Sequence, residues 1–528
     1  LRKKIGVFLK NFRRLYRFIF MKRRYKFLRK ILYSRMIFTF LLLALQIFIL
    51  VGTLLKFTPY FFYYVGVSIS LSFLCAVFIS NRETKNEFKI AWMIPTMLFP
   101  IVAICLYAYA ALNAKNSRIK KRIAESRKKS AEFLPHSEIS AEFSDVKDLS
   151  FYLSERCGFP SYEDSRVEYF SCGENFLPDF LNEIRRAEKF IFLEFFIINP
   201  DSCWDEILGE LKKKSAEGVE IRVLYDGIGS VYTSTKAYQK FLEGFGIRAK
   251  IYTPLFPVLN LQQNNRDHRK IAVFDGKIAY TGGLNIANEY FNAGKNRFSY
   301  WKDSAVKIYG NAAKSFTALF LQTWNLVEKS AENYSRYFPE ISAEKNCALS
   351  IPYGGDAYDE TGVAENICLY ILGRAKKSVC ITTPYIIVDN QLKNALIFAS
   401  KRGVKVSLMV PSKPDHFLTF CVGKTYLKTL AENGVDVYLY MPGFLHSKIF
   451  LSDDRIATVG SVNLDYRSLC HHFECGTVLT GNSCIKEIKR DFEITKLSCR
   501  KMEKGDYEKL PLKVRFFGRL FRIFAPLM

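Results

Sequence analysis

The chain reads as an α/β protein built from two copies of one unit, packed about a pseudo-twofold axis and preceded by apolar helices of membrane length. Three observations predict this. A short polar motif recurs with its surroundings at an offset of 178 residues, from His268 to His446. Beyond about residue 135, short β-branched runs alternate with helix-like stretches closed by glycine. Before that point lie runs of about 20 residues without a charge, long enough to cross a bilayer core. With 528 residues the chain also exceeds one ordinary domain core.

The N-terminal elements are read first. Leu1 to Arg35 is rich in Lys and Arg and holds no acid, which the positive-inside rule places in the cytoplasm. Three uncharged runs follow, Met36–Leu55, Pro59–Ser80 and Ile90–Leu112, the last containing Pro95 and Pro100, which membrane helices tolerate. The expected organisation is a basic arm over 1–35, about three spans over 36–112 and a basic linker over 113–165. An odd number of spans would put the basic arm and the basic linker on opposite faces, against the same rule. Either one run is re-entrant or one flank is translocated against its charge.

The formal charge of +26, from 77 Lys+Arg against 51 Asp+Glu, points to an anionic partner: nucleic acid, an anionic membrane or a phosphorylated substrate. Thirteen cysteines without a Cys-x-x-Cys pair argue against a disulfide framework and a structural zinc site.

The duplication defines the soluble region, with halves at 166–335 and 345–510 and a basic amphipathic tail at 511–528. AEKFIFLEFFIINPD from Ala187 parallels AKKSVCITTPYIIVDN from Ala375, each a buried-strand run. Each is followed by a helix-like stretch ending in glycine, at Gly218 and Gly403, and a second one ending at Gly246 and Gly434. HRKIAVFDGKIAYTGGLN from His268 then aligns without a gap to HSKIFLSDDRIATVGSVN from His446. Alternating strands and helices imply sheets covered by helices, and duplicated halves bring equivalent motifs together at their axis. The tail, LKVRFFGRLFRIFAPLM, mixes Phe and Leu with Lys513, Arg515, Arg519 and Arg522. It suits either a helix lying on a membrane or one packed on the catalytic region.

A strand alternates its side chains, so the His and Lys of His268-Arg269-Lys270 and of His446-Ser447-Lys448 share a face. An imidazole beside an ammonium is costly to bury alone but well suited to a phosphate. Two such pairs at one axis supply one imidazole to attack phosphorus, one to protonate the leaving oxygen, and lysines to neutralise the other oxygens. This chemistry calls for no metal and no cofactor. Asn285 and Asn463, after Gly282-Gly283 and Gly460-Ser461, are candidate phosphate donors. Asp303 and Glu474 each open a later strand and are candidates to orient an imidazole. Asp275 and Asp453 complete the repeated motif and are counted with His268, Lys270, His446 and Lys448 in the catalytic set, in a supporting role, at positions where Asp is also ordinary hairpin-turn chemistry.

The pattern His-x-Lys-x4-Asp followed by Gly-Gly/Ser-x-Asn, present twice, resembles the phospholipase D superfamily over roughly residues 165–528. Further features resemble bacterial cardiolipin synthases: KIAWMIPTMLFP, YDGIGS, TTPYIIVD, GFLHSKIF, GSVNLDYRS, FEC and RIFAPLM. The departures are an extra span, the long basic arm and Ala525 in place of Ser. The resemblance implies a multi-pass enzyme of the bacterial cell membrane that acts on phosphatidylglycerol and other anionic phospholipids, with no nucleic acid partner. It also implies His268 as nucleophile and His446 as acid and base, joining two phosphatidylglycerols through a phosphohistidine with release of glycerol. A hydrolytic phospholipase D, a membrane-tethered nuclease and a non-enzymatic lipid scaffold are the alternatives.

Overall fold

A computed structural model describes residues 46–48, 50–52, 55, 58–114, 117–134, 139–253, 265–294, 297–328, 334–342, 348–356, 358 and 361–528. The described residues up to 114 form one unit, and those from 117 to 253 and from 265 onward form a second. The basic arm at 1–35 and most of the run Met36–Leu55 lie outside the described residues.

In the first unit, the run from Pro59 becomes a helix, Thr58–Ser80. It is apolar on all sides, as a helix solvated by lipid would be, and Phe62, Tyr63, Ile69 and Phe73 are exposed. Its segment Tyr60–Ser80 is, among the described residues, the one helix long and apolar enough to cross a membrane. The third expected span is corrected: Ile90–Leu112 is divided between two helices, Asn86–Leu98 and Pro100–Ala114. Phe99 breaks the run with φ −136° and ψ 68°. Proline disfavours helical geometry in the residue before it, yet fits the first position of a new helix, where no backbone N–H is needed.

In the second unit, much of the stretch expected to be a linker is a helix, Ser117–Ala131. It docks on the helix Ala313–Glu328: Arg122 donates to the carbonyl of Asn325 at 3.0 Å, and Gln322 donates to Ser130 Oγ at 2.7 Å. Arg127 also pairs with the buried Asp356 at 2.7 Å. Its basic composition therefore covers a docked face as well as a solvated one.

Two sheets carry the halves. The first holds β1 (Ser165–Phe170), β2 (Phe190–Phe195), β3 (Glu220–Asp226), β4 (Ile247–Tyr252), β5 (Lys270–Phe274), β6 (Ile278–Gly282) and β7 (Ala305–Gly310) in the order β1-β7-β6-β5-β2-β3-β4. The second holds β8 (Leu349–Gly355), β9 (Ser378–Thr382), β10 (Lys405–Pro411), β11 (Asp436–Tyr440), β12 (Ile449–Ser452), β13 (Ile456–Gly460), β14 (His472–Thr480) and β15 (Cys499–Lys501). Their order is β8-β14-β13-β12-β9-β10-β11-β15. Apart from the added edge strand β15, the two orders correspond strand for strand. Pairing is parallel from β2 to β3 to β4 and antiparallel from β2 through β5 and β6 to β7, the mixed sheet expected from alternating elements. Every residue of β2 is buried, the signature of a central strand covered on both faces.

The halves clasp each other by two short parallel ladders. Arg266 and Asp267 pair with His472 and Phe473, while Phe444 and Leu445 pair with Trp301 and Lys302. Each ladder joins the residues just before one motif histidine to those just before the other half's acid. The helix Leu512–Phe521 packs on Phe417–Glu432, where Gly518 approaches the Cys421 carbonyl more closely than any larger residue could. Leu512 and Phe516 stay exposed, so the tail is docked on one face and apolar on another.

Candidate active site

His268 and Lys270 lie at the entry to β5, and His446 and Lys448 at the entry to β12, all four buried. The ladders fix them in space, because the backbone N–H of His268 donates to Phe473 O at 2.9 Å and that of His446 to Lys302 O at 2.7 Å. Each imidazole is thereby set opposite the other half's acid. His268 Nδ1 contacts Glu474 Oε1 at 2.9 Å, and His446 Nδ1 contacts Asp303 Oδ2 at 2.6 Å. Both acids are buried.

Strand alternation sends the middle residues elsewhere. Arg269 donates to Thr323 Oγ1 at 2.9 Å and to the carbonyls of Glu474 and Gly355, each at 3.2 Å, a further tie between the halves. Ser447 donates to Thr382 Oγ1 at 3.0 Å.

The electrostatics set the resting charges. Burial, joined by the Lys270 charge, lowers His268 to about 3 against the pull of Glu474. Burial and Lys448 lower His446 to about 4. Burial alone would raise the two acids, but their imidazole partners and the lysines hold both below the ordinary carboxylate range. At neutral pH the site therefore holds neutral imidazoles against ionised carboxylates, with the Nδ1 proton turned to the acid and Nε2 free. His446 Nδ1 also lies 2.9 Å from Lys448 Nζ, but it can serve one partner. The shorter contact to Asp303 assigns its proton, and Lys448 donates to the His446 carbonyl instead. Burial lowers Lys270 to about 8 and Lys448 to about 7. The Lys270 charge also depresses His446 and Lys448, so the two motifs share one electrostatic site.

The glycine-rich turns explain a difference between the copies. A Cβ at Gly283 would stand 2.0 Å from Asp303 Oδ1, so only glycine leaves room for that carboxylate. At the matching position Ser461 donates its hydroxyl to Glu474 Oε2. Asn285 Oδ1 accepts from the Ile197 N–H at 3.1 Å, whereas Asn463 Oδ1 is buried without a hydrogen-bond partner.

Asp275 and Asp453 require a correction, since the structure does not bring them to the imidazoles. Each sits at φ 52° in the hairpin turn beyond its strand. About 16 Å of strand separates Lys270 from Asp275. Asp275 accepts from the N–H groups of Glu188, Lys189 and Phe190 at 2.7–2.8 Å. Asp453 accepts from Lys376, Lys377 and Ser378 at 2.7–2.9 Å. Both pin a turn to the start of the neighbouring central strand.

Sequence reasoning missed His472, Ser461 and the clasp role of Arg269. Of these His472 was legible, because His472-Phe473-Glu474 repeats the one-apart spacing that puts two side chains on one strand face.

The family model described as "Cardiolipin synthase, PLD-like domain" matches residues 180–324 and 369–495. A Streptococcus mutans protein carrying only the name "Uncharacterized protein" is 37% identical over 86% of this chain and 99% of its own length. Cardiolipin synthase 2 of Staphylococcus epidermidis is 30% identical over 87% of this chain and 96% of its own length. Among solved structures, the phosphatidylserine synthase of Haemophilus influenzae superposes with a TM-score of 0.56 at 16% identity, covering 69% of this chain and 95% of that one. That likeness concerns the fold. The doubled sheet, the shared His/Lys site and these matches together make the chain a member of the cardiolipin synthase family, phospholipid-modifying enzymes of the phospholipase D type.

Proposed function

We propose that the chain transfers a phosphatidyl group from one phosphatidylglycerol to a second, giving cardiolipin and glycerol through a phosphohistidine. The observation that carries this reading is the crossed pair of acids, which leaves a free Nε2 on each of two imidazoles beside two lysines. As the anionic phosphate binds, His446 Nε2 takes up a proton from solvent; His268 Nε2 then attacks phosphorus, and the bond to the glycerol oxygen breaks as His446 passes that oxygen this proton. Ionised Asp303 stabilises His446 in its charged form once the anionic phosphate arrives. The second lipid's hydroxyl then gives its proton to His446, attacks phosphorus and breaks the N–P bond. Lys270, Lys448 and the amides of Asn285 and Asn463 stabilise the nonbridging oxygens throughout.

The membrane reading is part of the same proposal. Tyr60–Ser80 spans the bilayer, the uncharged run Met36–Leu55 is by sequence long enough to supply a second crossing, and the helices broken at Phe99 enter without crossing. Two crossings would put both basic flanks on the cytoplasmic face of the cell membrane, which removes the conflict that three crossings create. There they would concentrate anionic lipid at about 1 kcal/mol per basic residue near the surface.

The test is incubation of the purified chain with head-group-labelled phosphatidylglycerol in the presence of EDTA. Cardiolipin and free labelled glycerol are expected. Phosphatidic acid as the sole lipid product would replace the synthase by a hydrolase, and activity lost to the chelator but restored by a divalent ion would overturn the lysine-based mechanism.

A further inference from the structure

The two half-sites differ at one position that the transfer does not use. The ladders make Trp301 and His472 equivalents, each two residues before its acid. Trp301 packs its ring on His446, with centroids 5.0 Å apart. His472 occupies the matching place beside His268, with centroids 5.4 Å apart. Its side chain is nine-tenths buried; Nε2 has no hydrogen-bond partner, and Nδ1 faces only the Glu474 carboxylate at long range. Leaving the buried Nε2 unsatisfied is unfavourable, and a bound ion is one arrangement that would give this imidazole a partner. His472 Nδ1 stands 3.6 Å from Glu474 Oε1, the same oxygen that His268 Nδ1 approaches at 2.9 Å. One ligand atom from each of His268, His472 and Glu474 lies within 4.8 Å of the others, and among the described residues this is the one such cluster of three. Two imidazoles and a carboxylate form a donor set suited to zinc.

We propose that His268, His472 and Glu474 form an inhibitory site for a divalent transition ion of the zinc type. The proposal rests on the reading of His268 as the nucleophile. An ion held by Nδ1 of His268 replaces the proton shared with Glu474, and that proton is relocated to Nε2. The imidazole keeps its proton count but presents N–H where the lone pair must attack phosphorus. Transfer stops at its first step. The opposing groups are Lys270, which faces His268 and Glu474, and Lys448, which faces Glu474. The other half has no counterpart, since Trp301 offers no ligand atom, so His446 serves as the internal control.

The experiment uses the full chain in detergent, stripped with EDTA and then titrated with zinc, reading bound zinc by equilibrium dialysis and cardiolipin formation in parallel. The wild type is expected to bind a zinc ion and to lose activity as that ion binds. His472→Asn should raise both the dissociation constant and the half-inhibitory zinc concentration at least about tenfold, each measured against its own zinc-free rate. His472→Cys, which supplies a thiolate in place of the imidazole, should retain both and shows that the position tolerates substitution. Unchanged binding and inhibition in His472→Asn would overturn the site, as would wild-type protein that binds zinc without losing activity or binds none. His268→Asn separates the two readings. Transfer surviving in that variant would refute His268 as nucleophile, while its zinc dialysis still judges the ligand set.

Discussion

The two half-sites share a backbone plan and differ in their walls. His446 is enclosed by Tyr290, Trp301 and Phe444, with ring centroids 5.0–6.1 Å away, and its acid is a short Asp303 admitted by Gly283. His268 has Phe196 on one side and His472 on another, and its acid is the longer Glu474, which also takes the Ser461 hydroxyl. An apolar wall around an imidazole favours one fixed tautomer, whereas a polar wall offers its partner acid competing protons. The lesson is that a duplicated unit keeps its pairing geometry while the residues lining each copy diverge. Because each acid serves the other half's histidine, neither half holds a complete site.

The largest effects test that last statement. His268→Ala and His446→Ala should each lower turnover by about 10⁴-fold or more, where two independent sites would leave half of it. The roles separate under a rapid alkaline quench with labelled phosphatidylglycerol. His446→Asn protein should retain label on His268, and His268→Asn should carry none. Label mapped to His446 in the wild type would reverse the assignment.

Next in size are the acids, and here the crossing makes an unusual forecast. Asp303→Asn and Glu474→Gln should each cost on the order of 10³–10⁴-fold through the wrong tautomer. Asp303→Asn, though in the first half, should behave like a His446 variant and leave labelled enzyme. Glu474→Gln, though in the second, should behave like a His268 variant. Intermediates following the sequence halves instead would break the crossed arrangement.

The lysines come third. Lys270→Ala and Lys448→Ala should each lower kcat by about a hundredfold. Burial lowers both below the ordinary lysine value, to about 8 and about 7, and the proposed transfer uses each in its charged form. Raising pH removes that charge, so kcat/KM should fall first as pH passes about 7 and again near 8. Lys448→Arg should keep its charge and move the first decline to higher pH, and an unmoved profile would assign that limb to another group.

The smallest effect falls on the turn acids. Asp275→Asn and Asp453→Asn weaken three backbone contacts apiece at partly solvated sites, a loss of about 1–2 kcal/mol. Thermal unfolding in detergent should register it, with activity per folded molecule retained. A large kcat defect without loss of stability would return these residues to the catalytic set.

Much of this was present in the order of the residues. The 178-residue offset, the glycine stops and the one-apart His and Lys depend on local periodicity, and a strand alternates its side chains wherever it is placed. The duplication, the mixed sheets and the membership of each motif followed from that. Pro100 also carried the break at Phe99, although the surrounding apolar run concealed it. Which acid meets which histidine did not follow, because Asp303 lies nearer in sequence to His268 than to His446, and only the parallel ladders between the halves set it opposite the second. The place of His472 beside Glu474, the space left by Gly283 and the turn-pinning carboxylates of Asp275 and Asp453 likewise arise from contacts between strands remote in sequence. Local chemistry names the side chains, and pairing over hundreds of residues decides their partners.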